Sequence, residues 1–181
     1  MPKILVISDF ENYQYFESNL ESLQDVDFVI SCGDLSIAYL YKIQKILNKP
    51  LYFLYGNHVE NKLIHHNIKY IGNKMIDLCG LKIAGIDGIE ATDSKKIRKR
   101  TKRLLKKGKN IDILVTHNPT KGLGDGSGYH VGSDCFNELY NRLSVKIHFY
   151  GHYHLNYGGK REILYNGVRV INAYDHYIVE L

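Results

Sequence analysis

Short runs of β-branched and aromatic residues, each followed by a polar, Gly-containing turn and then by a stretch with helical spacing, recur along the chain. This alternation is the pattern of α/β proteins. It predicts strands at Lys3 to Ser8, Asp27 to Cys32, Leu51 to Tyr55, Lys74 to Leu78, Leu81 to Ile86, Ile111 to Thr116, Lys146 to Tyr150, Glu162 to Tyr165, Val168 to Asn172 and His176 to Glu180. Helices are predicted at Tyr13 to Leu23, Ser36 to Leu47, Ser94 to Lys107 and Ser133 to Leu143. Parallel βαβ units dominate the first half. The second half carries more hairpin, with Cys79-Gly80 and Asn166-Gly167 each joining two predicted strands, so a second mixed sheet stacked on the first is expected.

The length of 181 residues suits a single domain spanning 1–181, and no repeat, linker or low-complexity tract divides it. The first apolar run, Ile4 to Ile7, is too short for a signal h-region or a membrane span and soon meets Asp9, so neither export nor a membrane is expected. Cys32, Cys79 and Cys135 are widely spaced, with no CxxC, and read as reduced core thiols in a cytoplasmic protein. Five glycines between Lys121 and Gly132 mark one long loop expected to be mobile.

Chemistry concentrates just after five predicted strands. Asp9, Asp34 of Gly33-Asp34, Asn57-His58 of Gly56-Asn57-His58, His117, and His152 with His154 of Gly151-His152-Tyr153-His154 all stand at strand ends. Open α/β sheets gather ligands outside the carboxyl ends of their strands, so five segments would deliver side chains to one crevice. Gly33, Gly56 and Gly151 precede these residues and permit sharp turns or close approach. Carboxylates, an amide carbonyl and imidazoles, without a thiolate, suit Mn²⁺, Fe²⁺ or Zn²⁺.

In these blocks the chain resembles the calcineurin-like metallophosphoesterases, whose pattern is Asp-x-His, Gly-Asp, Gly-Asn-His-Asp/Glu, a lone His, and Gly-His-x-His. The resemblance runs from residue 9 to residue 154. The stretch from Thr116-His117-Asn118-Pro119 to Ile171-Asn172-Ala173 looks most like the small subgroup that includes cyclic-nucleotide phosphodiesterases. The resemblance implies a four-layer α/β/β/α sandwich that holds two divalent metal ions, with Mn²⁺ favoured and Fe²⁺, Zn²⁺ or Mg²⁺ as alternatives. It implies that Asp34 bridges the ions, that Asp9 and His154 hold one, and that Asn57, His117 and His152 hold the other. A bridging hydroxide would then attack phosphorus in line, with His58 stabilising developing charge and serving the leaving oxygen. The implied substrate is a phosphodiester, either a small nucleotide or nucleic acid.

Two positions depart from the family's pattern. Glu11 stands where the family has a histidine ligand, so it either joins the metal set or leaves one site a ligand short. Val59 stands where the family has the carboxylate that orients the catalytic histidine; unless Glu60 or a backbone carbonyl substitutes, slow turnover is expected. His65, His66, His130, His148 and His176 lack metal-ligand spacing and read as surface or satisfied core histidines, although His130 follows the Gly-rich loop.

The net charge of +5 is unevenly spread, since Lys95 to Lys109 holds ten of the 24 Lys and Arg residues. Ile97, Leu104 and Leu105 share one helical face there, and the rest is a basic field. That field reads as a solvated outer face or as a nucleic-acid ridge built on Lys95, Lys96, Lys99 and Arg103. A metallophosphoesterase acting on a phosphodiester is therefore the leading expectation. The alternatives are a degenerate phosphoesterase serving as a metal- or nucleotide-binding regulatory module, and a nucleic-acid-binding protein that uses the basic helix.

Overall fold

The computed structural model describes residues 2–58, 67–89, 94–107 and 110–181. Numbered in chain order, β1 (Lys3–Ser8), β2 (Phe28–Ser31), β3 (Leu51–Phe53) and β4 (Ile68–Tyr70) run parallel, and β11 (Asp175–Glu180) pairs antiparallel along β1. The second sheet has the order β5 (Met75–Leu78), β6 (Leu81–Ile86), β7 (Ile113–Thr116), β8 (Ile147–Tyr150), β10 (Val168–Asn172), β9 (Glu162–Tyr165). Its four inner strands are parallel and its edge strands antiparallel. The helices are α1 (Tyr13–Ser18), α2 (Ile37–Leu47), α3 (Ser94–Lys106) and α4 (Cys135–Leu143).

Side-chain alternation separates three apolar layers. Ile4 and Val6 of β1 join Phe28, Ile30, Ile113, Val115 and Phe149 between the sheets. Their neighbours Leu5 and Ile7 face the other way and pack with Val29, Phe16, Leu40 and Ile43 beneath α1 and α2. On the far side, Ala84, Leu114 and Val170 meet Ile97 and Leu104 of α3 and Phe136 and Leu139 of α4. Both faces of each sheet are therefore covered, which is why the central strands read as unbroken apolar runs. The expected four-layer α/β/β/α sandwich is the fold observed.

Local departures have local causes. The predicted Tyr13 to Leu23 helix stops at Ser18 and resumes as a 3-10 turn at Glu21–Leu23, because Asn19 bonds the Tyr15 carbonyl through both its side chain and its backbone. Strand β4 escapes the pattern because it is three residues long and buries only Ile68. Cys79 is exposed rather than in the core: with Gly80 it forms the positive-φ turn (50° and 78°) between β5 and β6. Asn166 and Gly167 do the same between β9 and β10.

The Gly-rich loop is pinned rather than loose. Asp125 accepts hydrogen bonds from Gly122 N (2.8 Å) and Gly132 N (2.9 Å), and Ser133 N donates to Pro119 O (2.9 Å). Below it lies His148, fully buried as the satisfied core histidine its sequence context implied. Its Nε2 meets Thr116 Oγ1 at 2.7 Å and its Nδ1 meets Tyr140 OH at 2.5 Å. Burial pushes the His148 imidazole down to about 3.

An unfolded histidine titrates near 6.5, so between about pH 6.5 and 3 the unfolded chain binds a proton that the folded chain refuses. Stability from this site is complete above pH 6.5 and falls by ~1.4 kcal/mol per pH unit below it. Thermal unfolding from pH 7 to 4.5 should show a shallower pH slope for His148→Gln than for the wild type; equal slopes would contradict the assignment.

Candidate metal centre

The loops after β1, β2, β3, β7 and β8 converge on one cleft of about 450 Å³. Two of them turn in the same strained way. Asp9 has φ 65° with Phe10 N bonded to Ser8 O at 2.7 Å, and His152 has φ 69° with Tyr153 N bonded to Gly151 O at 2.8 Å. Positive φ with an i to i+2 hydrogen bond marks a γ-turn of the rare, strained kind, which persists only where its surroundings hold it. Here the two turns hold one another. His152 N donates to both Asp9 carboxylate oxygens, at 3.1 and 3.0 Å, so one turn's backbone fixes the other's side chain.

The glycines serve this crowding. Gly33 has φ 102°, and a Cβ there would stand 2.6 Å from Gly56 N and 2.9 Å from His117 Nδ1. A Cβ at Gly56 would fall on the Asp34 carboxylate, and one at Gly151 would fall on Ser8 Oγ. Only Gly33 uses the left-handed freedom of glycine; at Gly56 and Gly151 the requirement is close approach.

His117 is fully buried, and its Nδ1–H donates to Cys32 O at 2.9 Å. That bond turns Nε2 toward Asp34 Oδ2 at 3.2 Å and Asn57 Oδ1 at 2.7 Å. Three groups that all present lone pairs thus converge, and ligand atoms of Asp9, Asp34 and His117 lie within 4.8 Å of one another. Such a set requires a positive centre. Burial would lower the His117 pKa, but the hydrogen bond to Asp34 and the charges of Asp9 and Asp34 more than offset it, and the pKa is raised. Burial acts to raise the Asp34 pKa, yet His117 pulls it below the ordinary carboxylate value. Asp9, with its side chain 3% exposed, moves up because burial outweighs its partners. A proton shared by His117 satisfies the set in the metal-free chain, and a divalent cation fits the same donors.

The remaining residues surround this cluster. His152 Nε2 donates to Tyr129 O at 2.9 Å, which leaves Nδ1 as its available lone pair. Burial, reinforced by the His117 charge, lowers His152 to about 4, so the ring is neutral near pH 7 and suited to ligation. His154 stacks between Tyr157 (5.2 Å, 8°) and Tyr174 (4.6 Å, 29°), with Nε2 3.9 Å from Asp9 Oδ1. His58 stands at the mouth with its side chain 82% exposed; its backbone N donates to Asp34 Oδ1 at 3.1 Å.

Glu11 is not brought into the cluster. It is exposed on the cleft wall, and its Oε1 accepts from Ser36 N (2.9 Å), the N-cap residue of α2. Val59, Glu60, His65 and His66 lie outside the described residues. His130 departs from the surface or satisfied-core reading: it lines the cleft, packs on His152 (5.2 Å) and Tyr157 (5.4 Å), and its buried Nδ1 has no hydrogen-bond partner among the described residues. Only its place next to the Gly-rich loop hinted at this. His176 stacks on Tyr15 at 3.4 Å, away from the cleft.

Mn²⁺ at about a hundredfold excess over its Kd should raise the Tm by about 5 to 10 °C. Asp34→Asn should abolish the shift, while Glu11→Gln should retain most of it. Differential scanning fluorimetry checks both, and no shift in the wild type would contradict the site.

A worm protein, UPF0046 protein T07D4.2 of Caenorhabditis elegans, is 31% identical over 100 residues, which cover 51% of this chain and 25% of that protein. This chain thus matches about a quarter of its relative's length. Among solved structures, TT1561 of Thermus thermophilus superposes with a TM-score of 0.66 at 15% identity, covering 96% of this chain and 89% of that one. A structure described as a novel archaeal phosphodiesterase gives 0.53 at 18% identity, with 96% and 84% covered. Zinc-complexed Vps29 of Entamoeba histolytica gives 0.53 at 17%, with 96% and 74% covered. At these identities the structures speak for the fold. The sequence profile of the calcineurin-like phosphoesterases, however, matches residues 2–156, and the chain belongs to that family.

Proposed function

We propose that this chain is a metal-dependent phosphoesterase that hydrolyses a phosphodiester, with Asp9, Asp34, Asn57, His117, His152 and His154 as the residues that hold two divalent ions. The observation that carries this reading is the convergence of Asp34 Oδ2, Asn57 Oδ1 and His117 Nε2 on one point, a donor set that fits a divalent ion once it displaces the proton His117 shares there. The archaeal phosphodiesterase among the structural relatives supports it. Mn²⁺ suits this oxygen- and imidazole-rich set, and Fe²⁺, Zn²⁺ and Mg²⁺ share the chemistry. When bound, such ions supply Lewis acidity to the phosphoryl group and lower the pKa of water.

The chain's own residues do the rest. Asp9 and Asp34 set the charge of the floor, and the Cys32 and Tyr129 carbonyls fix the tautomers of His117 and His152. His58, at the mouth beside Asp34, is placed to meet a phosphoryl or leaving oxygen. Leu35, Ile37, Phe53 and Leu54 line one side, and the half-exposed Tyr157 ring, 54% accessible, lines another. These apolar and aromatic walls suit an ester group with a planar portion, such as a small nucleotide. The cleft's own residues thus favour an ester that carries an organic group over free phosphate.

His58 bears on the speed of this chemistry, because among the described residues the acidic group nearest its exposed ring is Asp34, at 4.0 Å. Slow turnover is the consequence. With Mn²⁺ and bis-p-nitrophenyl phosphate, Asp34→Ala should remove turnover, whereas His58→Ala should lower kcat by about 10²-fold and keep the metal-induced Tm shift. Identical rates for wild type and Asp34→Ala would sink the enzyme reading and leave a metal-binding regulatory module in its place.

A further inference from the structure

Helix α3 carries a charge distribution that the fold does not need. Between residues 95 and 107 there are nine Lys or Arg residues and no Asp or Glu, and eight of the nine are exposed. They form two rows at i, i+4 spacing: Lys95, Lys99, Arg103 and Lys107 in one, Arg98, Lys102 and Lys106 in the other. Like charges at that spacing destabilise a helix. Lys95 and Lys96 in the first turn also oppose the helix dipole. Arg98 in the second row pairs with Asp134 at 3.8 Å, and Arg100, which belongs to neither row, donates to the Asp87 carbonyl at 2.8 Å.

What anchors the helix is its other side. Ile97 and Leu104 are buried against the second sheet and α4. The basic rows therefore oppose helix stability while the packing of Ile97 and Leu104 docks it, and an outward field of one sign suits a polyanionic ligand. Because the apolar stripe is already used in the core, the helix has no free apolar face to sink into a bilayer, as an amphipathic membrane helix requires. An extended polyanion needs no such face.

We propose that the outer face of α3 binds the phosphate backbone of a nucleic acid. Thirteen helical residues span about 20 Å, which along a duplex faces about six phosphates of one strand. The two rows supply a comparable number of cations. No residue of α3 lines the cleft, so this surface is separate from the metal centre and independent of the hydrolytic reading.

The test is fluorescence anisotropy of a 20-base-pair duplex with the whole chain in EDTA, from 50 to 200 mM KCl, so that neither metal nor hydrolysis contributes. The expected slope of log K against log salt is about −5. Lys95→Gln/Lys99→Gln/Arg103→Gln should weaken binding at least tenfold at 50 mM salt and flatten the slope by about 3, with Tm unchanged or raised. Should that variant fail to fold, Arg98→Gln/Lys102→Gln/Lys106→Gln on the other row gives the same reading. Binding that ignores salt or survives neutralisation of a row would overturn the proposal. So would capture by phosphatidylserine vesicles without capture of the duplex.

Discussion

A cluster of lone pairs needs a cation, and in this molecule the geometry that creates the cluster is enforced by hydrogen bonds no side chain can evade. The Cys32 carbonyl holds the His117 Nδ1–H, and that bond turns Nε2 toward Asp34 and Asn57. The His152 backbone grips Asp9. Without a positive centre the arrangement is repulsive; the raised His117 pKa is the metal-free chain's way of supplying one.

The scaffold makes this possible by burying both faces of both sheets. Rigid parallel strands end at one level, and the strained turns at Asp9 and His152 are held because each hydrogen-bonds into a packed neighbour. Strain at these two residues is the local cost of aiming their side chains into the cleft. His148, Thr116 and Tyr140 lie beneath the loop that carries His117, so a buried polar network supports the centre from below.

Much of this was legible in the residues alone. Ordered strand-end blocks at Asp9, Asp34, Asn57, His117 and His152 point to one crevice because strand direction alone determines where strand ends meet. What could not be read depends on contacts distant in sequence. Glu11 is drawn to Ser36, a partner 25 residues away, and nothing in Asp9-Phe10-Glu11 announces it. His130 reaches the cleft because Asp125 staples the glycine loop, a restraint invisible to composition, which suggested mobility. Cys79 looked like a core thiol until the two-residue turn placed it outside.

If Asp34, Asn57 and His117 hold a divalent ion, its electron density lies between them. Anomalous diffraction at the manganese edge, from crystals grown with Mn²⁺, tests it most directly. The expected result is a peak at coordination distance from both Asp34 Oδ2 and His117 Nε2, with a second peak shared with Asp9. A map with no peak there, and the 3.2 Å Asp34–His117 contact intact, would contradict it.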